Sequence, residues 1–187
     1  RAATGRGVSL CIAEALAAKG MEPTESTAIV QGFGNVGSVT AEILHIEMGV
    51  KVVGVSDHTA AYYDPAGLPI PELVRHVART GVLAGWSTEL LTDPKGLLTL
   101  PCDILAPCAV ERVIDGPTAE KLHCRILAEG ANGPTTPDAD RVLDQRRDEV
   151  FLIPDILCNS GGVIVSYFEW VQGLQRLAGR AAERATV

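Results

Sequence analysis

The sequence predicts an α/β fold, a doubly wound and mostly parallel sheet with helices on both faces, and three observations carry that reading. Short β-branched runs alternate with longer stretches whose apolar residues recur at helical spacing. The helical stretches lie between the strands, where parallel pairing needs crossover connections. A glycine-rich turn sits where the first strand passes into a helix.

The elements follow in order. Residues 3–19 place Val8, Ile12, Ala15, Leu16 and Ala18 mostly at helical spacing, with Gly20 at the C-terminal cap position. Ala28-Ile29-Val30 is a strand, residues 35–48 a helix with Val36, Val39, Ile43, Leu44 and Met48 near one face, and Lys51–Ser56 a second strand. Residues 57–69, broken by Pro65, Gly67 and Pro69, read as a turn-rich excursion. A helix over about 71–80 stops at Gly81. Further strands fall at 103–106, 125–128 and 150–153, a helix at about 137–147, and a last helix from about 161 into the 170s. No repeat, linker or internal boundary interrupts the series, so residues 1–187 read as one domain.

Bulk properties narrow the function. Of 187 residues, 47% are hydrophobic and 21% charged, a globular balance. The net charge of −7 argues against broad nucleic-acid binding, which relies on excess Lys and Arg. Cys11, Cys102, Cys108, Cys124 and Cys158 form no C-x-x-C pair, and the four histidines complete no ligand cluster, so reduced thiols and no metal are expected. No stretch approaches the roughly 18 apolar residues of a membrane span, and no signal peptide opens the chain, making the cytoplasm the default expectation. Arg1 in place of an initiator Met suggests a processed chain or a fragment.

Gly32-Phe33-Gly34-Asn35-Val36-Gly37 is a G-x-G-x-x-G run. Among 19 glycines such a run alone is weak, but here a strand precedes it, a helix follows and a second strand closes the unit. In a Rossmann unit Gly32 permits the tight turn, Gly34 lets a pyrophosphate approach the backbone, and Gly37 allows close helix–strand packing. Asp57 lies 20 residues beyond Gly37, where such a unit places the carboxylate that accepts from the adenosine ribose and repels a 2′-phosphate. With no Arg or Lys in 58–63, NAD is favoured over NADP. The plainer alternative is an aspartate capping its own turn.

Polar, small and proline residues directly follow three strands, at 107–109, 129–136 and 154–162. In an open parallel sheet these segments converge beyond the carboxyl ends of the strands, where ligands bind. Asn132 and Asn159 each offer a donor and an acceptor suited to a carboxamide or ribose, though either also serves as a turn residue or helix cap.

Six segments together resemble the glutamate dehydrogenases of the Glu/Leu/Phe/Val dehydrogenase family: Arg1–Gly7, Val30–Gly37, Val55–Asp57, Leu105–Ala109, Ala128–Thr136 and Ile153–Trp170. The resemblance covers nearly the whole chain and implies the dinucleotide-binding domain of an enzyme that deaminates L-glutamate to 2-oxoglutarate and ammonia. It implies that Thr4 and Asn159 face the nicotinamide, Gly34, Asn35 and Val36 hold the pyrophosphate, Ala109 lies near the adenosine half, and Asn132 near the nicotinamide ribose. Val163 and Ser166 match substrate-contacting positions, with Ser166 bonding the γ-carboxylate. The leucine, valine and phenylalanine dehydrogenases lack the Ser-Tyr-Phe-Glu-Trp run at 166–170 and the Glu-Gly-Ala-Asn-Gly-Pro run at 129–134, so glutamate is the better substrate expectation.

The same resemblance assigns the catalytic lysine and aspartate to an N-terminal substrate domain, and none of Lys19, Lys51, Lys95 or Lys121 has the glycine-rich setting of that lysine. The isolated chain is therefore expected to hold cofactor without turning over, within a parent enzyme that is hexameric by resemblance. After Trp170 the family pattern fades into an Ala- and Arg-rich segment. The alternatives are a domain of a leucine, valine or phenylalanine dehydrogenase, or a dinucleotide-binding regulatory partner of a catalytic subunit.

Overall fold

The computed structural model describes residues 2–184 of the chain. Among them, six strands form one sheet in the order β3-β2-β1-β4-β5-β6: β1 (Thr27–Gln31), β2 (Lys51–Ser56), β3 (Ala61–Tyr63), β4 (Ile104–Pro107), β5 (Ile126–Ala128) and β6 (Phe151–Ile153). Every neighbouring pair is parallel except β2–β3. The chain builds outward from β1 through β2 to β3, then crosses back to lay β4 on the other flank of β1. The strand order therefore reverses between β1 and β4, and that reversal opens a crevice at the carboxyl ends of the strands.

Strand alternation divides the core in two. Ala28 and Val30 of β1, Ile104 and Ala106 of β4, and Ile126 and Ala128 of β5 face one cluster. There they meet Val8, Ile12 and Leu16 of α1 (Ala3–Ala18), Ala41 of α2 (Gly37–Glu42) and Leu73 of α3 (Ile70–Thr80). Ile29, Leu105 and Leu127 face the opposite cluster, with Leu97 and Leu98 of a 3₁₀ turn, Ala119 of α4 (Gly116–Glu120), and Ala139 and Leu143 of α5 (Pro137–Gln145). A sheet buried on both faces is what nearly continuous apolar strands require. Two helices follow β6: α6 (Asp155–Cys158) and α7 (Gly161–Arg184).

The structure departs from the expected elements in a few places. The excursion at 57–69 contains β3, an antiparallel strand of three residues. The helix expected from 35 begins at Gly37, because residues 34–36 form the turn, and it widens into a π-helical turn at Ile43–Glu47 before Gly49 at φ +72° ends it. The short α4 and α6 lie in segments to which the sequence assigns no helix. α4 is started by Asp115, whose carboxylate accepts from the Thr118 N–H at 2.9 Å.

Candidate functional site

The turn after β1 is shaped by two glycines that the protein's own atoms require. Gly32 takes φ +97°, and a Cβ on it would stand 2.7 Å from the Ala109 Cβ and 2.8 Å from the Ala109 nitrogen. A Cβ on Gly37 would land on the Gly32 carbonyl oxygen. Gly34 is different. It has no positive φ, and a Cβ there would meet nothing within 4 Å. Gly34 and its neighbour Asn35 are exposed, while Gly32 and Gly37 are buried.

Beside this turn lies an open cleft of about 610 Å³, into which the βα loops converge. Seven of the residues singled out in the sequence line it: Thr4, Val36, Ala109, Asn132, Asn159, Val163 and Ser166. Cys108, Gly130, Ala131 and Gly162, which belong to the same sequence segments but were not singled out, complete the lining. Backbone bonds hold the loops in place. Ala131 N–H donates to Pro107 O at 2.8 Å, joining the loops after β5 and β4, and Arg112 N–H donates to Gly133 O at 2.8 Å. The buried Glu129 carboxylate accepts from the Thr135 hydroxyl and from the Asp155 N–H at 3.0 Å, tying the β5 loop to α6. Burial raises its pKa above the usual carboxylate value against the pull of those bonds.

Thr4 reaches the cleft because α1 and α7 cross at glycines. A Cβ on Gly161 would lie 2.6 Å from the Ala3 carbonyl, and one on Gly162 would lie 2.5 Å from the Thr4 Oγ1. Across the cleft the two predicted asparagines meet: Asn159 Nδ2 donates to Asn132 Oδ1 at 2.7 Å. That leaves Asn159 Oδ1 and Asn132 Nδ2 without a partner among the described residues, one acceptor beside one donor. Among the described residues the lining contains no Lys, His, Asp or Glu. Its one thiol, Cys108, is pushed up to about 12 by burial.

Asp57 lies apart from this cleft. Its Oδ1 accepts from Thr59 N–H at 2.7 Å, Thr59 Oγ1 at 2.6 Å and Ala60 N–H at 3.0 Å, and its Oδ2 accepts from Leu83 N–H at 2.7 Å. This is the turn-capping geometry of the plainer alternative, extended to grip the loop after α3. Burial pulls the Asp57 pKa upward, but the bonds from Thr59, Leu83 and Ala60 outweigh it and hold the carboxyl below its ordinary value. A second cleft, about 600 Å³, opens at the amino ends of the strands beside Thr27, Asp103 and Arg125. Its Arg146 is already bonded to the Ala119 and Leu122 carbonyls and to Glu149, and no predicted site residue lines it.

A six-stranded, mostly parallel sheet reversing beside a strand–glycine turn–helix unit defines a Rossmann-like α/β protein. More narrowly, the chain belongs to the Glutamate/Leucine/Phenylalanine/Valine dehydrogenase family, whose profile matches residues 1–185. Glutamate dehydrogenase of Thermotoga maritima is 45% identical over 173 residues, 92% of this chain and 41% of that protein. The catabolic NAD-specific glutamate dehydrogenase of Bacillus subtilis is 44% identical over 173 residues, 92% of this chain and 40% of that one. The hetero-hexameric glutamate dehydrogenase of Thermus thermophilus superposes with a TM-score of 0.83 at 29% identity, covering 94% of this chain and 40% of that chain. The chain thus spans about two-fifths of the length of these relatives.

Proposed function

We propose that this chain is the nicotinamide-dinucleotide-binding domain of a glutamate dehydrogenase, whose whole enzyme interconverts L-glutamate with 2-oxoglutarate and ammonia. The observation that carries the reading is Gly34. The turn's other two glycines answer to packing within the protein, whereas at Gly34 a side chain would enter only open space. A missing Cβ there serves a ligand lying on the backbone, and a pyrophosphate beside Gly34, Asn35 and Val36 fits it. A nicotinamide held there would supply the hydride acceptor for oxidation at C2 of the amino acid. The chain's own residues bind and orient. The acceptor and donor left by the Asn132–Asn159 pair suit a carboxamide and a ribose, and Thr4 lines the same cleft. Ala109, packed over Gly32, lines the same cleft where it meets the glycine turn.

Val163 and Ser166, on the first turns of α7, stand exposed at the cleft. Ser166 suits the γ-carboxylate of glutamate and Val163 its methylenes. Asp57 keeps its negative charge beside the end of β2, so NAD is favoured over a 2′-phosphorylated cofactor, in keeping with the NAD-specific B. subtilis relative. The substrate domain is supplied by sequence that the longer relatives carry outside the matched part, and the assembled enzyme is a cytoplasmic hexamer. Calorimetry with NADH tests the assignment. Wild-type chain binds, and Gly34→Val, placing a branched side chain in the pyrophosphate's path, weakens binding by at least ~2 kcal/mol. Equal affinity of the two proteins would remove the glycine turn from the site.

A further inference from the structure

Gln31 is the last residue of β1 and the one immediately before the glycine turn. Its carboxamide Oε1 is buried and meets no hydrogen-bond donor among the described residues. A buried acceptor left unmatched costs stability, so such an atom calls for a partner. Strand alternation fixes its face: Ala28 and Val30 point to one cluster and Ile29 to the other, so Gln31 shares the face of Ile29, Val53 and Leu105. On either side it pairs in register with Ser56 and Pro107, the terminal residues of β2 and β4. The orphaned oxygen therefore sits at the carboxyl rim of the sheet, where the strand order reverses.

We propose that Gln31 is a recognition residue for the adenosine half of the dinucleotide, its Oε1 accepting from an O–H or N–H of that half. This rests on the cofactor-domain reading above and extends it to one residue. With the pyrophosphate on residues 34–36, the nicotinamide half turns toward the cleft after β4, β5 and β6. The adenosine half must then run the other way, over the ends of β1 and β2, where Gln31 and Ser56 lie side by side. Adenosine carries two kinds of donor, ribose hydroxyls and the exocyclic amino group, and either can satisfy a carboxamide oxygen.

The test is Gln31→Met, which keeps the length of the side chain and removes the unmatched acceptor. The unliganded variant melts about 2–4 °C higher than wild type, because an uncompensated buried polar atom is gone. Its affinity for NAD falls roughly tenfold, and its affinity for ADP-ribose, which has no nicotinamide, falls by the same factor. A residue serving the fold alone would move stability downward and leave the affinity ratio near one. Unchanged ADP-ribose binding, or a loss confined to NAD, overturns the adenosine assignment while leaving the domain reading intact. A wild-type chain that binds neither ligand overturns both.

Discussion

At the scale of single residues, Asp57 shows how one position carries two physical meanings. From the sequence, an aspartate 20 residues past the last glycine of the turn is a ribose acceptor; in the structure its carboxylate already receives four protein donors. Spacing reveals where the strand ends, but not that Thr59, Ala60 and Leu83 fold back onto the residue just beyond it. Asp57→Asn puts an amide N–H against at least one of those donors and costs about 2 kcal/mol in urea unfolding at neutral pH. The pH dependence has a definite sign. Hydrogen bonding lowers the folded pKa, so the wild-type advantage is complete above the unfolded value of about 3.9 and is lost as pH falls through the lower folded value. The gap between the two proteins should therefore close in acid, and a gap independent of pH would show that the charge is not what the four donors hold. The same substitution narrows any preference for NAD over NADP, since the repelling charge is removed. Gln31 was illegible for the converse reason: a glutamine at a strand end is ordinary, and only its buried, unmatched oxygen sets it apart.

At the scale of elements, the long helices were legible because each shows its period, and even the three-residue β5 and β6 were legible as unbroken apolar runs; the missed elements are short and lie among turn residues. α4 has five residues, α6 four and β3 three, less than two helical turns or two strand repeats. β3 is held instead by tertiary bonds, with the Tyr62 hydroxyl donating to Leu83 O at 2.9 Å and its ring edge-on to Trp86. The glycines at the start of α7 were legible as a motif, but their separate duties were not, since these depend on the crossing with α1. Gly161→Ala and Gly162→Ala divide those duties. At Gly161 the new methyl meets the Ala3 backbone carbonyl, which cannot step aside, and the variant loses about 1–3 kcal/mol of stability. At Gly162 it meets only the Thr4 hydroxyl, and the gain in helix propensity offsets part of the crowding. That variant keeps near-wild-type melting but binds NADH more weakly, because Thr4 is displaced from the cleft. Melting curves and calorimetry on both variants check the division; if Gly162→Ala unfolds the chain while Gly161→Ala binds normally, the crossing does not position Thr4 as described.

At the scale of the whole molecule, the cleft is rich in hydrogen-bonding groups and, among the described residues, poor in groups that move protons. Its lining offers hydroxyls, amides and backbone, and the one ionisable side chain there among the described residues, Cys108, is a thiol pushed up to about 12 and so neutral at working pH. Oxidation of an amino acid needs a base to accept the ammonium proton and groups to steer water and the imine, and general acid–base catalysis typically contributes ~10²–10⁴-fold. Ser166 offers one hydrogen bond to a carboxylate, worth ~1.5–3 kcal/mol, which fixes a substrate without replacing a base. α7 meanwhile leaves Tyr167, Phe168 and Trp170 exposed next to the cleft, an apolar face suited to a second domain closing over it. The chain alone should therefore bind NAD and oxidise no glutamate at saturating cofactor. Fused to the remaining part of the T. maritima relative, which is 45% identical over the shared region, it should gain activity. In that fusion Ser166→Ala should lower kcat/KM for glutamate more than for an apolar amino acid, because only glutamate presents a γ-carboxylate. Turnover by the bare chain would mean that a proton-transferring group reaches the cleft from within these residues, and the division of labour between two domains would fall.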